Sequence, residues 1–101
     1  MRYRLLATTQ FQRDVEEILS VLDEDRSLRE EYIKKNDDII SAIYRRLEEP
    51  KAAEVFYPYE GSDAYYTLEE GDCTIYYVVY DDVMELRRIT LQMWKLTDFR
   101  D

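Results

Sequence analysis

Apolar residues in the first half of the chain recur at the spacing of an α-helix. An alternating stretch at 2–7 predicts a first strand, and from residue 11 the apolar positions fall at i, i+4, i+7, i+8 and i+11: Phe11, Val15, Ile18, Leu19 and Leu22. This pattern predicts an amphipathic helix whose opposite face, turned to water, carries Arg13, Asp14, Glu16 and Glu17. Thr9 and Gln12 match a capping box, in which side chains bond to the first free amides of a helix.

A second helical run lies between residues 27 and 49. Ser27 and Glu30 match another capping box, and Pro50 ends the run because proline lacks an amide hydrogen and restricts the residue before it. The apolar stripe of this run consists of Leu28, Tyr32, Ile39, Ile43 and Leu47, widened by Ile40 and Tyr44. The pattern leaves open whether one helix covers 27–49 or two helices break near 35–37. The two runs together predict an antiparallel helical hairpin with one shared apolar face.

Beyond Pro50 the apolar positions alternate, which is typical of strands. A short strand at 55–57, a strand at 64–69 and stronger strands at 73–80 and 83–91 are predicted from alternation and from β-branched and aromatic residues. Gly71 and the pair Asp81-Asp82 supply turns. Along 73–80 one face carries Cys73, Ile75, Tyr77 and Val79. The predicted order, β-α-α-β-β-β(-β), indicates a single α+β domain over 1–101, a helical hairpin packed on a small antiparallel sheet.

The composition indicates a folded domain and excludes several classes of protein. The chain has 101 residues, of which 46% are hydrophobic and only two each are glycine and proline, so collagen-like, low-complexity and disordered chains are excluded. The single cysteine, Cys73, cannot form an internal disulfide and is expected to be a buried thiol. No apolar run approaches the ~18 residues that cross a membrane, and residues 1–7 do not match a signal peptide. We therefore expect a cytoplasmic protein with no membrane contact.

Charge is distributed unevenly along the chain. The net charge of −9 comes mainly from residues 48–85, which hold one base, Lys51, against 11 acids. A surface of this kind repels phosphate backbones, so we expect no direct binding of nucleic acid. Histidine is absent, and the sequence has neither a glycine-rich phosphate loop nor the spacing of a metal site. We therefore expect no cofactor and no metal ion.

Tyrosines and turn carboxylates are the first candidates for partner binding. Seven of the ten tyrosines lie between residues 57 and 80. Tyr65-Tyr66 and Tyr76-Tyr77 are adjacent pairs, so one member of each should point away from the core unless that face is covered as well. Aromatic residues also favour strands for structural reasons alone, and turns recruit acids for backbone reasons, so catalysis is not expected at either group. The candidates for partner binding in these groups are Tyr66, Tyr76, Glu69, Glu70 and Asp72.

Arg87 and Arg88 complete the set of candidate partner-binding residues, because they interrupt an otherwise apolar strand. One of them is expected to neutralise the acidic segment 48–85 through a cross-strand ion pair, which contributes little stability at a surface. The alternative interpretation is contact with an anion or a partner protein.

Residues along nearly the whole chain resemble the RelE/ParE superfamily of bacterial toxins. Tyr3-Arg4-Leu5-Leu6 leads into Phe11-Gln12-Arg13-Asp14, and Leu47-Glu48-Glu49-Pro50 is similar to the family's second-helix ending. The stretch from Tyr65 through Gly71 to Asp82 and Ile89 is similar to the family's meander, with Tyr77 at the place of its structural tyrosine. The resemblance implies a type II toxin that is neutralised by an antitoxin segment wrapped over its surface. It also implies that ribosome-dependent members cleave messenger RNA with basic residues on the central strands and a C-terminal base.

The positions at which those members carry these residues are mostly neutral here. The family-equivalent positions are Tyr65, Thr67, Thr74, Trp94, Lys95 and Phe99. Cleavage of a phosphodiester needs cations that stabilise the extra negative charge of the transition state, so we expect neither messenger-RNA cleavage nor a catalytic residue set.

The sequence therefore favours a toxin-type domain that acts by contact with an antitoxin-like protein or another protein target, as the resemblance to ParE-type poisons of DNA gyrase implies. The alternative is an acidic inhibitor or decoy whose segment 48–85 occupies a basic nucleic-acid-binding site on a partner. A third interpretation is a small oligomerising domain whose acids form a solvated face. The oligomeric state stays open.

Overall fold

The computed structural model describes residues 2–23 and 29–91. In that part of the chain, two helices and five strands follow in the order β1 (Arg4–Ala7), α1 (Thr9–Asp23), α2 (Arg29–Glu48), β2 (Val55–Phe56), β3 (Tyr65–Glu70), β4 (Cys73–Tyr80) and β5 (Val83–Leu91). The strands form one sheet in the spatial order β1-β5-β4-β3-β2. The predicted α+β class is confirmed. Neither described helix combines the length and the apolarity needed to span a membrane.

The first strand makes this sheet mixed. β2 to β5 form an antiparallel meander, as predicted, but β1 pairs with β5 in parallel, with Arg4 opposite Val83 and Ala7 opposite Leu86. Parallel neighbours require a long connection, and here the connection contains both helices and three strands. The prediction of a wholly antiparallel sheet is therefore wrong, because alternation along a segment identifies a strand without identifying its neighbour.

Thr8, and not Thr9, caps α1. The amide of Phe11 donates to the Thr8 hydroxyl at 3.1 Å, and the amide of Gln12 donates to the Thr8 carbonyl at 3.1 Å. The predicted capping box at Thr9 and Gln12 is wrong because the residue three positions after the true cap is Phe11, which has no side-chain acceptor to return the bond. The other predicted box, at Ser27, lies outside the described residues.

α2 is one continuous helix from Arg29 to Glu48, and it ends before Pro50 as predicted. Its Ala42 and Ile43 are buried in the core. Ile40 and Tyr44 are exposed, so the prediction that they widen the buried stripe is wrong. At about 100° of rotation per residue they fall on the flank of the helix that the sheet does not cover.

The core lies between the two helices and one side of the sheet. It comprises Phe11 and Ile18 from α1, Ala42 and Ile43 from α2, and Leu68, Cys73, Ile75, Tyr77, Met84, Leu86, Ile89 and Leu91 from the strands. The thiol at position 73 is therefore buried, as expected. The register between β4 and β5 shifts at Tyr76 and Tyr77, whose partners are Arg88 and Leu86, so Arg87 is an extra residue in β5. This bulge lets both Leu86 and Ile89 point into the core although they are three positions apart.

Candidate functional site

Tyr66 and Tyr77 lie on the side of the sheet that faces the helices. Their rings stack with centroids 5.4 Å apart. The Tyr77 hydroxyl donates to the Pro50 carbonyl at 2.6 Å and accepts from Arg46 Nη1 at 2.9 Å, and the same Nη1 donates to the Thr67 carbonyl at 3.0 Å. Burial raises the pKa of Tyr77, although the Arg46 guanidinium offsets part of this rise. This cluster joins the end of α2 to β3 and β4.

Tyr65 and Tyr76 lie on the opposite side of the sheet, as expected for adjacent pairs. That side is itself covered at these residues: Tyr65 is 1% exposed. Phe56, the cross-strand neighbour of Tyr65 on β2, contacts both rings, with centroid distances of 5.9 Å to Tyr65 and 6.0 Å to Tyr76. Burial raises the pKa of Tyr76, and the charge of Glu69 raises it further. Both candidate tyrosines, Tyr66 and Tyr76, are thus half-buried within aromatic contacts.

Arg87 is held by a polar network on this second side. Its Nε donates to Glu85 Oε1 at 2.9 Å. Its Nη1 lies 3.0 Å from Asp63 Oδ2 and donates to the Tyr65 hydroxyl at 3.2 Å, while the guanidinium carbon lies 5.6 Å from the centroid of the Tyr65 ring. Burial alone lowers the pKa of Arg87, but the hydrogen bonds to Tyr65 and Glu85 outweigh it and raise the pKa above its ordinary value. Tyr80 extends the network by donating to Glu85 Oε2 at 2.7 Å.

Arg88 pairs with Asp14 of α1. Its Nε donates to Asp14 Oδ2 at 2.7 Å and its Nη2 donates to Oδ1 at 3.1 Å. The same carboxylate accepts from the Ile89 amide at 3.2 Å and from Gln10 Nε2 at 3.0 Å. Asp14 is 5% exposed, so the prediction that it faces water is wrong. β1 ends at Ala7, and beyond that point the Asp14 carboxylate takes the place of a strand partner for β5.

Both arginines are therefore engaged in ion pairs within the chain. Arg87 neutralises Asp63 and Glu85, which belong to the acidic segment, as the sequence predicted for one arginine of the pair. The prediction that this ion pair crosses between two strands is wrong, because Asp63 lies in the loop before β3 and Glu85 lies on the same strand as Arg87. The bulge at Arg87 displaces it from direct cross-strand register.

The three acidic candidates surround the turn between β3 and β4. Glu69 and Asp72 are exposed, and Glu70 lies 3.9 Å from the exposed guanidinium of Arg45. Asp38 of α2 joins Glu70 and Asp72 around a hollow of about 30 Å³ beside the buried thiol. We call these four carboxylates the acidic turn cluster: Asp38, Glu69, Glu70 and Asp72. Within 2–23 and 29–91, no group of three potential ligands is placed to hold a metal ion.

An open groove of about 300 Å³ adjoins this cluster between α2 and β3. It is lined by Ala42, Arg45, Arg46, Glu49, Ala52, Leu68 and Glu70. Both signs of charge meet in it, because two arginines, Arg45 and Arg46, and two glutamates, Glu49 and Glu70, line it together. Arg46 is already committed to Tyr77 and Thr67. The groove therefore offers no concentrated positive field for a phosphate.

The described family-equivalent positions hold neutral side chains. Tyr65 and Thr74 are buried and Thr67 is half-buried. The remaining three, Trp94, Lys95 and Phe99, lie outside the described residues. On β3 and β4 the arrangement thus presents hydroxyl groups and aromatic rings where the resemblance implies phosphate-binding cations.

Asp14 and Arg46 are the two structural residues that sequence reasoning did not single out. The sequence does contain a signal for both residues, which is their helical spacing from apolar positions. Asp14 lies three residues after Phe11 and four before Ile18, and Arg46 lies three after Ile43. These spacings place both polar residues beside a buried stripe. No protein-family model, curated protein or solved structure matches this chain.

Proposed function

We propose that this chain is a RelE/ParE-like toxin-type domain that acts in the cytoplasm by contact with another protein and not by cleaving messenger RNA. The order of elements supports the fold part of this proposal. A strand, two helices and an antiparallel meander follow one another as the resemblance implies, and they span the described residues from Arg4 to Leu91.

The Arg87 network carries the mechanistic part of the proposal. A cation that binds a phosphate must present donors that are not already neutralised. Arg87 contacts Tyr65, and its donors are directed at Glu85, Asp63 and the Tyr65 hydroxyl. A phosphate that approached this guanidinium would meet two carboxylates beside it. Contact with a protein does not require such a cation.

Regulated expression of the full chain in a bacterial host tests this function. We expect growth arrest, with no new 5′ ends in the messenger RNA, and rescue when the neighbouring small open reading frame is co-expressed. A frameshifted gene that produces the same transcript is the control. Normal growth together with the absence of a co-purifying protein would contradict the toxin-type function. New messenger-RNA ends would contradict the contact mechanism.

The acidic turn cluster supports a second candidate function, an acidic inhibitor or decoy. Three of its four carboxylates border one small hollow, and the ion pair of Glu70 with Arg45 is long and solvent-exposed. This pair sets one cation against four carboxylates, so the cluster keeps a net negative charge. The field of such a charge attracts basic nucleic-acid-binding surfaces at long range.

Charge reversal separates the second function from a general effect of net charge. We expect an immobilised arginine-rich peptide to bind the chain in a salt-sensitive manner, and the triple variant Glu69→Lys, Glu70→Lys, Asp72→Lys to abolish binding. The matched control reverses three exposed acids elsewhere, Glu16, Glu17 and Glu54, with the same change in net charge. Equal losses in the two triple variants, or binding that is independent of salt, would exclude a decoy site at this turn.

A further inference from the structure

The outer edge of β1 is an unpaired strand edge in the described part of the fold. β1 stands at the end of the sheet order, with β5 on its inner side. The Arg4 amide donates to the Asp82 carbonyl and the Thr8 amide donates to the Leu86 carbonyl. In a parallel ladder the residues that bond to one neighbour alternate, so residues 4, 6 and 8 bond to β5 and the backbone groups of Leu5 and Ala7 point outward. Unpaired groups of this kind are a template for another strand.

Leu6 makes this edge apolar. It is 46% exposed, and it lies on the side of the sheet opposite Leu5, which packs against the core. β2, at the other end of the sheet, is a poorer template because it has only two residues. β1 has four, and its only charged member, Arg4, is paired with Asp82 at 3.1 Å. The common protections of an edge strand, a charge or a proline on its exposed positions, are therefore missing at residues 5–7.

The distribution of charge around this edge is compatible with pairing to a second copy of the chain. The chain carries a net charge of −9, so two copies can meet only where their acids are remote or neutralised. The sheet order places β2, β3 and their acids on the far side of β4 and β5 from β1. The two acids that face β1 from β5 and the turn before it are already paired, Asp82 with Arg4 and Glu85 with Arg87. At the β1 edge, the acids that the neighbouring strand contributes are thus compensated within each copy.

We propose that two copies of this chain pair through β1 in antiparallel orientation about a two-fold axis, with Leu6 on the axis. In such a pair, residues that stand opposite each other must carry their side chains on the same side of the sheet, so the two-fold axis passes through a residue and not between two residues. In the middle of β1 this residue is Leu5 or Leu6. Centring on Leu6 places Leu5 of each copy opposite Ala7 of the other. The outward-pointing amide and carbonyl groups of both residues then form hydrogen bonds in both copies. Centring on Leu5 pairs the backbone groups of Leu5 with those of the other Leu5, and it forms no other hydrogen-bonded pair between two residues of β1. It also places Arg4 of each copy opposite Leu6 of the other. The Leu6 register therefore satisfies more backbone groups and joins two exposed apolar side chains.

The mass of the full chain in solution tests this dimer. We expect it to rise with concentration from 12.3 kDa towards twice that value in light scattering or sedimentation. Leu6→Lys places two like charges opposite each other and removes an apolar contact, and we expect it to weaken the dimer by about tenfold or more without changing the circular dichroism. A chain that stays monomeric at all concentrations, or a Leu6→Lys dimer of unchanged strength, would overturn the proposal.

A cysteine placed on the axis tests the register. In the Leu6 register the two Leu6 residues form a non-hydrogen-bonded pair, whose Cα atoms approach to about 4.5 Å and within disulfide range. We expect Leu6→Cys to form a covalent dimer with oxidised glutathione, which takes up the two electrons. Val55→Cys is the matched control, because Val55 is 42% exposed on the opposite edge strand and the native Cys73 is buried in both variants. Equal cross-linking of the two variants, or none in Leu6→Cys, would contradict the β1 interface.

Discussion

At the scale of single residues, Asp14 shows how a side chain on the polar flank of a helix acquires a structural role. Its carboxylate accepts from the Arg88 guanidinium, from the Ile89 amide and from Gln10. A buried carboxylate without such donors would be strongly disfavoured. Here it links α1 to β5 and accepts from the Ile89 amide, which lies beyond the last described pair of β1 with β5. Stability therefore depends on this residue far more than its place in the sequence pattern suggests.

Asp14→Ala should lower the free energy of unfolding by about 2–3 kcal/mol, less than for a fully buried pair because the Arg88 side chain is partly exposed. Urea denaturation at neutral pH measures the change as a shift in midpoint at constant slope. Glu17→Ala, an exposed acid on the same helix, is the control and should have little effect. The double variant Asp14→Ala, Arg88→Met should recover part of the loss, because it also removes the guanidinium that has lost the Asp14 carboxylate. Equal effects of Asp14→Ala and Glu17→Ala would contradict this role.

The hydroxyl of Tyr77 is expected to stabilise the fold through its two hydrogen bonds. Tyr77→Phe removes the hydroxyl that donates to the buried Pro50 carbonyl and accepts from Arg46. We therefore expect the free energy of unfolding to fall by about 1–3 kcal/mol. Tyr80→Phe removes an exposed hydroxyl bonded to Glu85 and should cost clearly less. Thermal unfolding of the two variants measures the difference. A larger loss in Tyr80→Phe would show that the Tyr77 cluster does not hold α2 on the sheet.

At the scale of elements, the sequence predicted the two long strands of the meander better than it predicted the first residue of α1. β4 and β5 have the predicted bounds because alternation and the turn residues agree there, and Asp81 adopts the left-handed φ of 50° at the predicted turn. The cap of α1 was misplaced by one residue because Thr8 and Thr9 are chemically equivalent in the sequence. Only the hydrogen bonds of Thr8 to Phe11 and Arg87 distinguish them.

Thr8→Ala and Thr9→Ala form a matched pair that tests the cap. Thr8→Ala removes the acceptor for the Phe11 amide and the donor to the Arg87 carbonyl, so we expect it to lower the free energy of unfolding by about 1–2 kcal/mol. Thr9→Ala lies on the exposed first turn and should change it by less than about 0.5 kcal/mol. Chemical denaturation measures both values. If Thr9→Ala were the more destabilising change, the cap would lie at the position that the sequence indicated.

At the scale of the whole molecule, the sheet is covered on both sides over its aromatic part. Tyr66 and Tyr77 pack towards the helices, and Tyr65 and Tyr76 pack against Phe56 on the other side. Segment 48–85 therefore supplies much of the buried aromatic surface as well as most of the net charge. Its acids lie at turns, in loops and on exposed flanks, and bases from other segments neutralise some of them: Arg4, Arg45 and Arg87.

Stability should fall at alkaline pH because of this burial. Burial raises the pKa of Tyr76 and Tyr77 above the ordinary value of 10.0, so the unfolded chain releases these protons at lower pH than the folded chain does. The contribution of the two protonated hydroxyls to stability is therefore complete below pH 10, and it is lost as the pH rises through their raised folded-state pKa values. Urea midpoints between about pH 8 and pH 11 measure this loss. The variant Tyr76→Phe, Tyr77→Phe should show a shallower decline; an equal or steeper one would contradict the assignment.

The sequence by itself determined the α+β class, the two helices, the meander, the burial of Cys73 and the concentration of acids in 48–85. Each of these depends on periodicity or composition, which are local properties of the chain. The tertiary structure decided the parallel pairing of β1, the engagement of Arg87 and Arg88, the burial of Asp14 and the covering of the second side of the sheet. These depend on contacts between residues that are distant in sequence, Asp14 and Arg88 being 74 positions apart, and no local pattern encodes which partner a polar group will meet. For that reason the neutral family-equivalent positions and the acidic segment 48–85 could be found in the sequence, while the ion pairs that engage Arg87 could be found only in the fold.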